Sequence, residues 1–258
     1  MFQYLELIRD EKNKASTIWM NRPDALNALS SKVLNEIDQA LSLCENDQNI
    51  RVIVIRGKGG KAFISGSDIA EMSEMTPIQF REYSQILTKV CNTMKFSSKP
   101  TISAVEGVCF GGGNTIAAHS DFVIATEKSK FGQLEINVGI FGGVSRMISL
   151  VGERRAVEMC FLGKIVNADE AERIGLITKM VSQENFEAEL EKLIKELSSK
   201  APLALKFAKI ARNRYLEMDP APAIINERDL ISLVFSSKDA REGLKAFVEK
   251  RKANYLGE

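Results

Sequence analysis

Short apolar runs alternate with amphipathic helical ones along most of this chain, and that rhythm limits its fold more than any other feature. YLELIR and STIWMN alternate as strands do, and RVIVIRG is apolar enough for a third. Between the second and third, LSSKVLNEIDQALSLCEND spaces Leu, Val, Ile and Leu as a helix does. The exchange repeats, with SEMTPIQFREYSQILTKVCNTMKF helical, KPTISAVEG a short buried strand, GGGNTIAAHS turning into a helix and DFVIATE another strand. Strands that alternate with helices favour a parallel sheet with crossover helices, so the fold class is α/β. The N-terminal run reads as an edge strand and turn, without the uninterrupted apolar stretch of a secretory signal.

After about residue 150 only LITKMV interrupts a series of helical segments. From APLALKFAKIARNRYLE onward each helix has one apolar face and little partner sequence. Such helices pack either on a second subunit or on the chain's own core. The expected division is 1–198 for the α/β core and 199–258 for a C-terminal helical region.

Charge and cysteine usage exclude several functions. Lys and Arg number 35 against 34 Asp and Glu, so no global field gathers nucleic acid or an anionic membrane surface. No apolar run approaches the roughly 20 residues of a membrane span. Cys44, Cys91, Cys109 and Cys160 form no CxxC pair, and with one histidine, His119, neither a zinc site nor a disulfide framework is suggested. A reducing, cytoplasmic or organelle-matrix setting fits these thiols, with the cytoplasm the expected location, and no metal is expected. His119, in AAHSD beside a buried-looking strand, suits a structural role.

The glycines cluster in GKGGKAFISGSD, VCFGGGN and VGIFGGV, each beside an expected strand. Gly111–Gly113 between a strand and a helix permits close backbone approach and aims amide hydrogens outward, as for an anion or developing oxyanion. Helix and strand packing alone is the alternative use. Neither GxGxxG after a first strand nor GxxxxGK[ST] occurs, so dinucleotide and P-loop readings fail. Among nearby acids Asp68, Glu71, Asp121 and Glu135, Glu135 lies in mostly apolar FGQLEINVG between two glycine-bearing turns. A carboxylate desolvated there has a raised pKa suited to carrying protons.

At NRPDALNALS, KAFISGSDIAEM, KPTISAVEGVCFGGGNTIAAHSDFVIA, KFGQLEINVG, LGKIVNADEAERIGLITKMV and FVEKRKANYLGE the chain resembles the crotonase family, the enoyl-CoA hydratase and isomerase superfamily. The resemblance runs nearly end to end. It implies a crotonase-like spiral of repeated ββα units with a C-terminal helical region for oligomerisation and site cover. It also implies acyl-CoA thioester substrates, with coenzyme A entering only as part of the substrate, and a homotrimer or dimer of trimers. The family's two oxyanion amides fall on Ser67 and Gly112. Its segments that shape the CoA site fall on Arg22, Asp24, Ala25 and Leu26 and on Ser65, Gly66, Asp68 and Ile69, where backbone carbonyls hold the adenine.

Three departures from the family bear on function. Its two-carboxylate hydratases have one glutamate two residues after the triple glycine and another in the segment matched by QLE; here the first position is Thr115 and the second is Glu135. One carboxylate suffices to move a proton between two carbons, whereas adding water is easier with two. The resemblance is therefore to the 3-enoyl-CoA to 2-enoyl-CoA isomerases. Many relatives carry a basic residue where Asp24 and Ala70 stand, so the phosphate contact falls to Arg22, Lys58 or a C-terminal lysine of a neighbouring subunit. GIFGGVSRM is shorter than the usual loop, which implies an unusual, branched or cyclic acyl group. Alternatives are a hydratase on such a thioester, a decarboxylase or thioesterase, and a non-catalytic acyl-CoA-binding or RNA-binding relative. Near-neutral charge argues against nucleic acid.

Overall fold

Leu5–Asp10 (β1) and Ala15–Met20 (β2) pair antiparallel, and β2 then lies parallel to Val52–Gly57 (β3) across a helix, Ser31–Asn46 (α1). The computed structural model describes residues 2–258. The Ser30 hydroxyl caps α1 by accepting the Val33 N–H, and the helix buries Val33, Leu34, Ile37, Ala40, Leu41 and Cys44 as one stripe.

The chain continues through β4 (Ala62–Ile64), α2 (Ile69–Ser73), α3 (Pro77–Phe96), β5 (Thr101–Val105), β6 (Val108–Phe110), α4 (Gly112–His119), β7 (Phe122–Thr126) and β8 (Lys130–Gly132). Then follow α5 (Val144–Val151), α6 (Glu153–Phe161), β9 (Val166–Asn167), α7 (Ala168–Arg173), β10 (Lys179–Val181), α8 (Phe186–Ser198), α9 (Pro202–Glu217), α10 (Pro220–Phe235) and α11 (Lys238–Val248). The large sheet has the order β1-β2-β3-β5-β7-β10, parallel except at β1. Ile53 and Ile55 of β3 face the main core with α1 and α3, while Val52 and Val54 face a second core closed by Phe186, Leu190 and Ile194 of α8. Burial on both faces explains why β3 reads as an unbroken apolar run.

A second sheet, β4-β6-β8-β9, is absent from the sequence reading because its strands are only two or three residues long, too short to show a period. Three of the four follow a strand of the first sheet, β4 after β3, β6 after β5 and β8 after β7, which gives the repeated ββα unit, while β9 follows α6. The crossings are tight. At Gly107, φ +73°, an added Cβ would lie 2.1 Å from the Lys61 carbonyl, so only glycine fits.

The helical run SRMISLVGERRAVEMCFLG is broken at Gly152 into α5 and α6. Among the described residues no helix is long and apolar enough to cross a membrane. All four cysteines are free and buried.

A largely buried ion cluster helps to tie the helices after residue 200 to the core, beside the Asn213 donation to the Lys95 carbonyl at 2.8 Å. Lys209 of α9, 7% exposed, donates to Asp121 at 2.6 Å and to the Lys99 carbonyl at 3.0 Å. Arg212 reaches the other Asp121 oxygen at 2.7 Å, and Thr101 donates to Asp121 through both its N–H and its hydroxyl. Asp121→Ala strands the Lys209 charge and is expected to cost about 3–5 kcal/mol, read as a lower denaturant midpoint. An unchanged midpoint would show that α9 is held by something else. Elsewhere these helices leave Ile224, Ile225, Ile231, Phe235 and Phe247 exposed.

Candidate active site

Because β4, β6 and β8 are parallel neighbours, the residues that follow them emerge at one edge of the second sheet. Ser65–Ser67 follow β4, Gly111 and Gly112 follow β6, and Gln133–Glu135 follow β8. Two of the three glycine clusters and the lead-in to Glu135 are thus assembled by strand pairing.

Glu135 opens a one-turn 3-10 helix, Glu135–Val138. Glycines flank its carboxylate, since a Cβ at Gly111 would stand 3.3 Å and one at Gly142 3.0 Å from Oε1. Oε2 is buried and has no hydrogen-bond partner. Burial pushes the Glu135 carboxyl above its ordinary value of 4.5, and no cation stands close enough to oppose it. A carboxyl in this state gains and loses protons closer to neutrality than a surface glutamate.

The bridge between Leu29 and Ser67 orients the Ser67 segment. Leu29 N–H donates to the Gly66 carbonyl and Asp68 N–H to the Leu29 carbonyl, both at 2.8 Å, so the Ser67 N–H points away from Leu29. Gly112 is the first residue of α4, where amides have no intrahelical acceptor. Neither the Ser67 nor the Gly112 N–H donates to an acceptor among the described residues. The two residues are neighbours, with a Gly112 Cβ placed 3.3 Å from Ser67 Oγ. Thr115 lies one turn along α4, donates its hydroxyl to the Gly111 carbonyl at 3.2 Å and accepts from Gln133 Nε2 at 3.4 Å.

The two segments assigned to CoA touch one another. Ser65 N–H donates to the Leu26 carbonyl at 3.1 Å, and Arg22 pairs with Asp68 at 2.6 Å. Pro23–Ala25 form a 3-10 turn that ends at Leu26, φ 49°, while Asp68 caps α2, which begins at Ile69. The carbonyls of Arg22, Ala25, Leu26 and Gly66 already accept internal amides, whereas those of Asp24, Ser65 and Ser67 accept none among the described residues. The expected basic contacts are occupied: Arg22 is paired with Asp68, and Lys58 with Glu6.

Sequence reasoning missed the residues that hold these parts in place. Asn27, 1% exposed, donates to the Lys58 and Ala62 carbonyls and accepts the Arg22 N–H, stitching the turn to the loop before β4. Tyr83 of α3 donates to the Leu29 carbonyl at 3.1 Å. Gln133 bridges Asn114, Thr115 and the Gly142 carbonyl. The signal for Asn27 and Gln133 was their place within the quoted motifs, whereas Tyr83 had none. His119 meets this network only at the Thr115 backbone: its Nδ1 lies 2.7 Å from the Thr115 carbonyl, and burial holds its pKa down.

A sequence profile described as enoyl-CoA hydratase/isomerase matches residues 10–258. The chain is 38% identical over 256 residues to a crotonyl-CoA hydratase of Syntrophomonas wolfei, covering 98% of each. It is 37% identical to a short-chain-enoyl-CoA hydratase of Clostridium acetobutylicum, covering 95% of each. The crystal structure of an enoyl-CoA hydratase from Bacillus anthracis, 30% identical, superposes with a TM-score of 0.94 over 99% of this chain and 100% of that one. The α/β spiral, the site-bearing edge of its second sheet and these likenesses agree: the chain belongs to the enoyl-CoA hydratase/isomerase family and is an acyl-CoA enzyme of that type.

Proposed function

We propose that the chain interconverts 3-enoyl-CoA and 2-enoyl-CoA thioesters, with Glu135 as the sole proton carrier. The observation that carries this reading is the placement of one buried, uncompensated carboxylate near a threonine whose hydroxyl is already engaged on both sides. The Ser67 and Gly112 amides accept the thioester oxygen, where the N-terminus of α4 favours negative charge. Ionised Glu135 removes the proton from the carbon between the carbonyl and the double bond. The electrons spread over oxygen and the far carbon, and protonated Glu135 returns its proton there. The base is restored, so a single carboxylate completes the cycle.

In this reading Arg22–Leu26 and Ser65–Ile69 hold the adenine end through backbone carbonyls. With Arg22 and Lys58 already paired, the phosphates fall to a C-terminal lysine of a neighbouring subunit. Residues 199–258 form the oligomer and cover the site; their exposed apolar side chains support an interface between copies, and the trimer or dimer of trimers follows from the family resemblance. Light scattering at micromolar concentration is expected to give one of these masses, and a monomer would reject the assembly.

The names of the two curated relatives favour a second reading, a hydratase in which Glu135 handles water and Thr115 orients it; the unusual acyl group of that reading comes from the short GIFGGVSRM loop and not from those names. Absorbance of the enoyl thioester separates the two. The wild-type chain is expected to convert a 3-enoyl-CoA into its 2-enoyl isomer and to hydrate crotonyl-CoA poorly, with Thr115→Glu raising hydration. Rapid hydration without isomerisation would replace the first reading by the second.

A further inference from the structure

The isomerase reading gives no role to Gln133, a side chain 1% exposed and two residues before Glu135. A buried carboxamide brings two N–H donors and an acceptor that all need partners. Its oxygen accepts from Asn114 Nδ2 of α4 at 2.9 Å, and its nitrogen donates to Thr115 Oγ1 of α4 at 3.4 Å and to the Gly142 carbonyl at 3.3 Å. One side chain thus joins α4 to the loop after the 3-10 turn of Glu135.

That loop packs directly on the amide. Gly143 holds φ +69°, and a Cβ there would stand 2.0 Å from Gln133 Nε2 and 3.5 Å from Thr115 Oγ1, so both conformation and contact require glycine. One residue earlier, a Cβ at Gly142 would stand 3.0 Å from Glu135 Oε1. The same stretch of backbone therefore touches the Gln133 amide at one glycine and the Glu135 carboxylate at the other.

Little else sets the state of that carboxylate. No cation opposes its burial, and residues 139–143 carry no titratable side chain. Cys160 of α6 and Tyr83 of α3, whose pKa values its charge raises, are held protonated at neutral pH chiefly by their own burial. Exclusion of water is then the main influence on Glu135.

We propose that Gln133 is a positioning residue for the proton carrier: its amide clamps the backbone of Gly142 and Gly143 to α4 and so keeps water off the Glu135 carboxylate. The proposal rests on the reading that Glu135 carries the proton. Gln133 takes no part in the bond changes and acts only through Glu135.

Gln133→Met keeps nearly the same side-chain volume and removes both donors. With the loop loosened and water admitted, the acid limb of kcat/KM is expected to move down toward 4.5, the ordinary glutamate value. A weaker base also turns over more slowly, so kcat should fall about 10-fold with KM nearly unchanged. Gln133→Asn keeps an amide but shortens its reach, and should move the limb in the same direction even where the Met variant folds poorly. The infrared carboxyl stretch of protonated Glu135, isolated as the difference from the same chain carrying Glu135→Gln, follows the titration without turnover. Folded variants with a wild-type acid limb and infrared titration overturn the proposal, even if their thermal midpoints fall. Turnover of Glu135→Gln separates the two levels. If it is lost while the Gln133 variants keep both titrations, the isomerase reading stands and the clamp is rejected. If Glu135→Gln turns over like wild type, both are rejected.

Discussion

Glu135→Gln is expected to lower turnover about 10²-fold to 10⁴-fold while leaving the fold and acyl-CoA affinity intact, because it keeps the side-chain shape and removes only the proton carrier. Steady-state isomerisation together with CoA-ligand titration reads both. Activity within a few-fold of wild type would remove Glu135 from the mechanism. The same residue sets the pH profile. Burial raises its pKa, so the acid limb of kcat/KM should fall at a pH above 4.5, the ordinary value. Stability responds in the opposite sense. With its folded pKa above the unfolded one, the protonated carboxyl contributes stability below the unfolded value, and this is lost as pH rises through the folded value. Glu135→Gln should therefore melt higher than wild type at neutral pH, and the gain should shrink on acidification toward the ordinary carboxylate range.

Gly112→Pro is expected to raise the barrier by on the order of 3 kcal/mol, about 10²-fold, because proline has no N–H to give the thioester oxygen. The first position of a helix accepts proline well, so the backbone of α4 should survive. A new Cβ would meet Leu29 Cδ1 at 3.0 Å, and that crowding needs its own control. Gly112→Ala supplies the same Cβ with the N–H retained and should lose far less activity. Equal losses in the two variants would assign the effect to crowding against Leu29.

The large sheet was readable because its strands are five or six residues long, apart from β10, and separated by helices with clear stripes such as that of α1. The second sheet was not, although it builds the site, since β4, β6 and β8 have three residues each and take their conformation from neighbours distant in sequence. Glu135 stood out through its apolar, glycine-flanked setting. The glycine triplet pointed to outward amides around Gly112, but the family resemblance was needed to single it out and to add Ser67, because an unpaired amide on a serine leaves no trace in residue type. Tyr83 was invisible for another reason: its partner Leu29 is 54 positions away, and a tyrosine on an amphipathic helix reads as core. The ion pairs that occupy Arg22 and Lys58 were hidden in the same way.

The four buried thiols give the molecule internal clocks. Burial raises the pKa of Cys44, Cys91, Cys109 and Cys160, and the thiolate is the form that alkylating reagents attack. Labelling of the folded chain therefore waits for local opening, and the rate at each sulfur measures the free energy of exposing its surroundings. Cys44 times α1, Cys91 times α3 and Cys160 times α6. Cys109 times β6, two residues before Gly111, so its alkylation rate with and without bound acyl-CoA reports how firmly ligand closes the strand beneath the chemistry.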